Sequence, residues 1–352
     1  MAEIFKSVLC DVYFLGAFLQ SVIIILLGYF FRRYNIVDDS GKKTLSNIVW
    51  KIAVPCVAFN SFMQDFSSKE FKTGLAVFFF TLVFYALITV LFKIFFIKTG
   101  KDKSTITGLF VAVGQVTLFS MPILQSVYTG RDNEVMLYIS MLSIAFRIMV
   151  YIIAFYLISG EKIDIKHMGS SVKKIFVTPI MISMGAGILI YLIQNITPQV
   201  VTPSGIYSFL RIDKTLSALY TPVVTLSRLL NPLSMFIIGM SIGDSDFRVA
   251  LKDKTAWIAA LSRNFIAPLL VLVISLLIKL SGLFNFNEYS LITLVIGFSA
   301  PVSVTLSITC IKCQKEEVYS SRVCLISTLL CIISIPLNFV LTYYALSLPI
   351  FN

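Results

Sequence analysis

Gly114-Gln115-Val116-Thr117-Leu118-Phe119-Ser120-Met121-Pro122 lies inside one long apolar run, and Gly297-Phe298-Ser299-Ala300-Pro301-Val302-Ser303-Val304-Thr305 lies inside another. Each brings glycine, hydroxyl groups and proline to mid-membrane depth. Proline removes an amide donor and disfavours helix in the residue before it, so both spans are expected to break near their centres. In lipid a broken helix is tolerated only where its freed backbone groups face protein or a water-filled cavity. Two breaks at matching positions therefore predict two crossing broken helices around one central site. A single proline carries little weight, because Pro55, Pro179, Pro222, Pro232, Pro268 and Pro336 also fall in or near apolar runs. The pairing is what counts.

The surrounding chain supports a membrane setting. Of 352 residues, 57% are hydrophobic and 13% charged, with a mean hydropathy of +0.90; soluble domains carry about 25% charged residues. A span needs about 20 mostly apolar residues. Ten runs qualify, at about 12 to 31, 44 to 63, 71 to 97, 105 to 128, 135 to 158, 175 to 193, 216 to 242, 256 to 278, 289 to 311 and 318 to 346. The first is too long for a signal peptide and is followed by Arg32 and Arg33, so it is expected to remain as a helix. The fold class read from this pattern is an all-α polytopic membrane protein, with residues 1–160 as a first five-helix repeat, 161–174 as a cytoplasmic linker and 175–352 as a second five-helix repeat. An odd number of spans per half inverts the second half, giving two inverted repeats whose broken helices are the fourth and the ninth.

Orientation follows from the basic residues. Arg32, Arg33, Lys42, Lys43, Lys98, Lys101, Lys103, Lys162, Lys166, Lys173, Lys174, Arg248, Lys252, Lys254, Lys312, Lys315 and Arg322 fall on one face, against Lys6, Lys69, Lys72, Arg131, Arg211 and Lys214 on the other. The first face is expected to be cytoplasmic, with both termini outside a cell membrane. The net charge of +11 is thus explained by orientation and by attraction to anionic lipid, and requires no nucleic acid. The segment 195–215 is amphipathic enough to lie on the outer surface.

The charges buried in the spans are all basic: Lys51, Arg147, Arg228 and Arg263, with Lys93 and Lys279 nearer span ends. Each is a site candidate by default, because a mid-membrane charge is expensive. Lys51 and Arg147 lie near mid-span without an evident way out, whereas Arg263 has the option of snorkelling to the cytoplasmic face. A cation antiporter would be expected to carry an intramembrane carboxylate; cations and half-helix amino termini suit an anion instead. Asn47, Asn60 and Gln115 are polar neighbours that could line the same cavity. The single His167 sits in a basic loop, and only Cys310 and Cys313 have metal-like spacing, so neither a metal nor a cofactor is expected. No nucleophile and base pair is visible for an enzyme, and no repeated filter for a channel.

Several segments in order resemble the auxin efflux carrier family, which includes bacterial malate-type permeases and plant PIN-type carriers. Gly28-Tyr29-Phe30-Phe31-Arg32-Arg33 with Ile36-Val37-Asp38 is similar to the end of the family's first span, and Ala53-Val54-Pro55 to its second-span proline. Lys173-Lys174 through Thr178-Pro179 resembles the start of span 6, Asn231-Pro232-Leu233 through Gly239 resembles span 7, and Arg263 through Pro268 resembles span 8. In the first broken helix Gln115 stands where the family has Asn, and Ser120 where it has Gly. The resemblance implies an elevator-type carrier with spans 1, 2, 6 and 7 as scaffold, spans 3–5 and 8–10 as the moving part, and Arg147 lining the site.

The expected function is secondary transport of a small organic anion, a dicarboxylate such as malate ahead of an auxin-like monocarboxylate. The expected ligands are Gln115, Thr117, Ser120, Pro122, Arg147, Asn47, Lys51, Ser299, Pro301, Ser303 and Thr305, with backbone amides after Pro122 and Pro301. The lipid bilayer is the other partner, and a homodimer is compatible with the reading. The alternative is a receptor or regulator that binds a small anion on the same fold without moving it, left open by Gln115 and Ser120.

Overall fold

The computed structural model describes residues 12–128, 133–160, 177–203, 205–243 and 250–348. Lys6, Cys10, Arg131, His167, Arg248 and the linker 161–174 with its lysines lie outside the described residues. About 80% of the described residues are helical. The longer helices among the described residues are α1 (Val12–Arg33), α2 (39–60), α3 (Ser68–Phe95), α4 (Lys101–Ala112), α5 (Val116–Tyr128), α6 (Glu134–Ser159), α7 (Pro179–Ile193), α8 (Ser217–Gly243), α9 (Lys254–Leu280), α10 (Glu288–Ser299), α11 (Val304–Lys312) and α12 (Glu317–Leu346). Among the described residues α3, α6, α8, α9 and α12 are each long and apolar enough to cross a bilayer, and α5, α7 and α10 are shorter apolar helices.

Short polar residues fix where several helices begin. Asp38 accepts from the Gly41 amide at 2.7 Å, Ser67 from Glu70 at 3.3 Å, Asp253 from Thr255 and Ala256 at 3.1 Å each, and Asn287 from Ser290 at 2.9 Å. These side chains satisfy amides that have no acceptor inside their own helix.

Most of the span prolines do not break their helices. A π-turn at Val49–Ala53 precedes Pro55, another at Val116–Ser120 precedes Pro122, and a third at Ser262–Ile266 precedes Pro268. In each case the residue just before the proline donates five residues back, Val54 to Val49, Met121 to Val116 and Ala267 to Ser262. The wider turn makes room for a ring that would otherwise press on the carbonyl four residues earlier. The first broken span is interrupted near its centre as expected, between Ala112 and Val116, but Pro122 is not the cause: it lies downstream, buried inside α5.

Helices α1, α2, α7 and α8 pack together, and α3 packs on α4 and α6, α10 on α6, α9 and α12, and α9 on α12. Helix α5 touches both groups. The contact between α1 and α8 is close enough to exclude side chains: a Cβ on Gly239 would lie 2.0 Å from the Ile25 carbonyl oxygen, and one on Gly28 would lie 2.2 Å from that of Phe236. Small residues allow such backbone approach where no hydrophobic drive separates helix from lipid. Gly239→Ala is expected to force the pair apart at a cost of about 1–3 kcal/mol, read as a lower thermal unfolding midpoint in detergent; an unchanged midpoint would refute the tight contact.

The segment 195–215 contains a hairpin, β1 (Gln199–Thr202) antiparallel to β2 (Gly205–Ser208), with Val200 opposite Tyr207. It is tied down by Arg211, which is 1% exposed and donates to Asp213, Asp65 and Gln194 at 2.8 Å. A fully paired buried arginine thus fixes the end of the hairpin to the loop after α2 and to the end of α7.

Candidate functional site

The two interrupted helices meet back to back. Helix α4 ends at Ala112 and the chain runs extended through Val113 (φ −114°, ψ 108°). Gln115 (φ −80°, ψ 65°) then sits at the centre of an inverse γ-turn closed by Val116 N–H to Gly114 C=O at 3.0 Å. On the other side α10 ends at Ser299 and the chain is extended at Ala300 and Ser303. The extended pieces pair as an antiparallel bridge of Gly114 with Val302, in which Gln115 N–H donates to Pro301 C=O at 2.7 Å and Ser303 N–H to Val113 C=O at 3.2 Å. Each break thus satisfies backbone groups freed by the other.

The freed carbonyls at the ends of α4 and α10 converge on Arg263. Its Nε donates to Ala300 O at 2.9 Å, Nη1 to Ala112 O at 2.6 Å and Val111 O at 3.1 Å, and Nη2 to Gly297 O at 3.4 Å. The residue is 0% exposed, so the option of snorkelling to a face is corrected. Its neighbour Asn264 is equally buried and accepts from Ser327 Oγ at 2.7 Å, while Ser327 accepts from Val302 N–H at 3.0 Å. Pro268 cannot donate to the Asn264 carbonyl four residues before it, and Asn338 Nδ2 supplies that bond at 3.0 Å. The π-turn therefore delivers two adjacent polar side chains to one place. The sequence signal for this is the spacing of Arg263-Asn264 ahead of Pro268.

A cavity of about 510 Å³ adjoins the crossing. Gln115, Leu118 and Phe119 from the first turn of α5 line it, with Pro301, Val302, Val304 and Thr305 from the start of α11. Trp50 and Lys42 of α2, Ser241 of α8 and Thr328 of α12 complete a mostly apolar wall with a few polar groups, the usual character of a small-molecule site. Both half-helices present their amino-terminal turns to this space, where amides lack intrahelical acceptors and the helix dipole is positive.

Of the expected ligands, Gln115, Pro301 and Thr305 line the cavity, and Ser303 donates to Gln115 Oε1 at 3.0 Å, holding that amide in place. Arg147 in α6 is 2% exposed and sits 5.6 Å from the ring of cavity-lining Trp50. Its Nε and Nη2 are buried without a hydrogen-bond partner. Thr117 Oγ1 is likewise buried and unpaired.

The remaining expected ligands hold structure or face away. Ser120 Oγ donates to Ile296 O at 2.7 Å, joining α5 to α10, and Ser299 bonds Val295 and Asn338. Pro122 is internal to α5. Asn47 and Lys51 are exposed on the outer face of α2, and Asn60 pairs with the Tyr220 hydroxyl, so all three are corrected as cavity residues. Arg228 is also exposed. Trp50, one of only two tryptophans in the chain, is the cavity residue that a search for charges and amides passes over beside Lys51.

Discontinuous helices build the substrate site in many membrane transporters, and here two interrupted helices meet beside a cavity. The family model described as membrane transport protein matches residues 13–339. The chain belongs to that family, the auxin efflux carriers, and is a multi-pass membrane transporter of a family that is not enzymatic. No curated protein matches it.

Proposed function

We propose that this transporter carries a small organic anion, a dicarboxylate of malate type, by an elevator movement. The observation that carries the reading is the unpaired Nε and Nη2 edge of Arg147. That edge is the side of a guanidinium that holds a carboxylate by two parallel hydrogen bonds, and leaving it buried and unpaired costs free energy that an anion recovers. Trp50 connects it to the cavity, so a turn of the indole admits a carboxylate to Arg147. Gln115 and the first amides of α5 and α11 then bond the rest of the anion. Lys42, a second cation on the same wall, favours two carboxylates over one.

The packing supports α1, α2, α7 and α8 as the scaffold and the other helices as the moving part, with α5 at the seam. Ten spans in two inverted repeats, residues 1–160 and 175–352 about the linker, account for two breaks of similar sequence meeting head to head. With both termini outside by the positive-inside rule, the cavity, which Lys42, Ser46, Ile311 and Ser321 line, opens inward.

Counterflow in proteoliposomes with labelled dicarboxylates and monocarboxylates tests this. Exchange of dicarboxylates at several times the monocarboxylate rate is expected. Thermal stabilisation by a carboxylate with no flux would overturn the carrier reading in favour of a receptor, and no response to any carboxylate would overturn the anion site.

A further inference from the structure

We infer that Arg263 serves as a built-in cation at the helix crossing, so that this carrier binds its anion without any inorganic cation there. The inference rests on the carrier reading above and concerns what balances charge at the same site. Carbonyl ends of two half-helices pointing at one spot are the arrangement that elsewhere coordinates a coupling sodium ion. Here Val111, Ala112, Gly297 and Ala300 supply those oxygens, and every nitrogen of one guanidinium is bonded to them.

The charges also balance. Each helix carboxyl end carries about −0.5 of an elementary charge, and two of them offset one arginine. No Asp or Glu lies in the middle of either broken span to attract a further cation. Gly114 gives the guanidinium its room: a Cβ at that position would lie 2.0 Å from Nη2. Arginine is not deprotonated in proteins, so the charge stays in place at any working pH. With the buried guanidinium bonded to them, the carbonyls offer an inorganic ion neither room nor a charge to neutralise. Arg263 is therefore a positioning residue: it holds the ends of α4 and α10 together so that the starts of α5 and α11 keep facing the anion.

The test uses the whole protein in detergent and in proteoliposomes, comparing Na⁺, Li⁺, K⁺ and N-methylglucamine at constant ionic strength and clamped membrane potential. The wild type is expected to unfold at one midpoint and to exchange anion at one rate in all four. Arg263→Gln removes the charge and keeps much of the shape; it is expected to gain a midpoint shift of about 2–4 °C in an inorganic cation over N-methylglucamine, which loss of packing alone would not produce. Arg263→Lys keeps the charge and is expected to stay insensitive to the cation. A wild type that needs sodium, lithium or potassium for stability or exchange would overturn the proposal, as would an Arg263→Gln protein as stable as wild type in N-methylglucamine. The wild-type series decides even if a variant fails to fold. Absence of flux in every salt would count against the carrier reading alone, since the midpoint series needs no transport.

Discussion

Gly114→Ala is expected to leave little folded, active transporter. The new methyl carbon would lie 2.0 Å from Arg263 Nη2, 2.7 Å from its Cζ and 2.8 Å from the Ala300 carbonyl oxygen. The guanidinium has nowhere to retreat, because Nε, Nη1 and Nη2 are all bonded to carbonyls of α4 and α10 or their ends. Giving way separates a buried charge from its partners, which costs about 3–5 kcal/mol. Whole domains are stable by only about 5–15 kcal/mol, so one methyl group removes a large share. Thermal unfolding in detergent, with counterflow on whatever folds, measures it. A Gly114→Ala protein with the parent's midpoint and exchange rate would mean that residue 114 does not touch Arg263.

Arg147→Met should separate stability from function in the opposite way. In the ligand-free protein it removes a buried cation whose Nε and Nη2 have no partner and keeps an apolar chain against Trp50, so the unfolding midpoint is expected to hold or rise. Anion binding should fall, since losing one partner of a buried hydrogen-bonded charge pair costs about 2–5 kcal/mol, or about 30-fold to several-thousand-fold in affinity. Arg147→Lys should recover little, because a point charge does not replace the two parallel bonds of the fork. Carboxylate-induced midpoint shifts and counterflow report both effects. Retained ligand stabilisation in Arg147→Met would remove Arg147 from the site.

Arg147 and Arg263 look alike in the sequence: each is a lone arginine inside an apolar run. One proves fully bonded and the other half unpaired; the Asn264 and Pro268 that follow Arg263 mark its turn, but not which groups it will bond. The partners of Arg263 come from Val111, Ala112, Gly297 and Ala300, all remote in the chain. Lys51 shows the same limit from the other side. It is as deep in its span as Arg147, yet it faces outward, because a helix apolar all round lacks the hydrophobic period that tells an inner face from an outer one. The prolines mislead for a related reason. Pro55, Pro122 and Pro268 share a local chemistry with Pro301, but a π-turn absorbs each of the first three, whereas Pro301 stands in a break held open by pairing with Gln115.

The long apolar runs alone make this a helical membrane protein, because hydrocarbon leaves a backbone no partner but itself. Glycine, hydroxyls and proline recurring at two matching places, 114–122 and 297–305, locate the crossing for a similar reason: only protein or water can receive the groups a broken helix frees. Which side chains meet at that crossing is decided by packing. The bridge of Gly114 with Val302, the delivery of Arg263 by a π-turn in α9, and Trp50 beside Arg147 all join residues far apart in the chain, whose distances and rotational phases local composition does not encode.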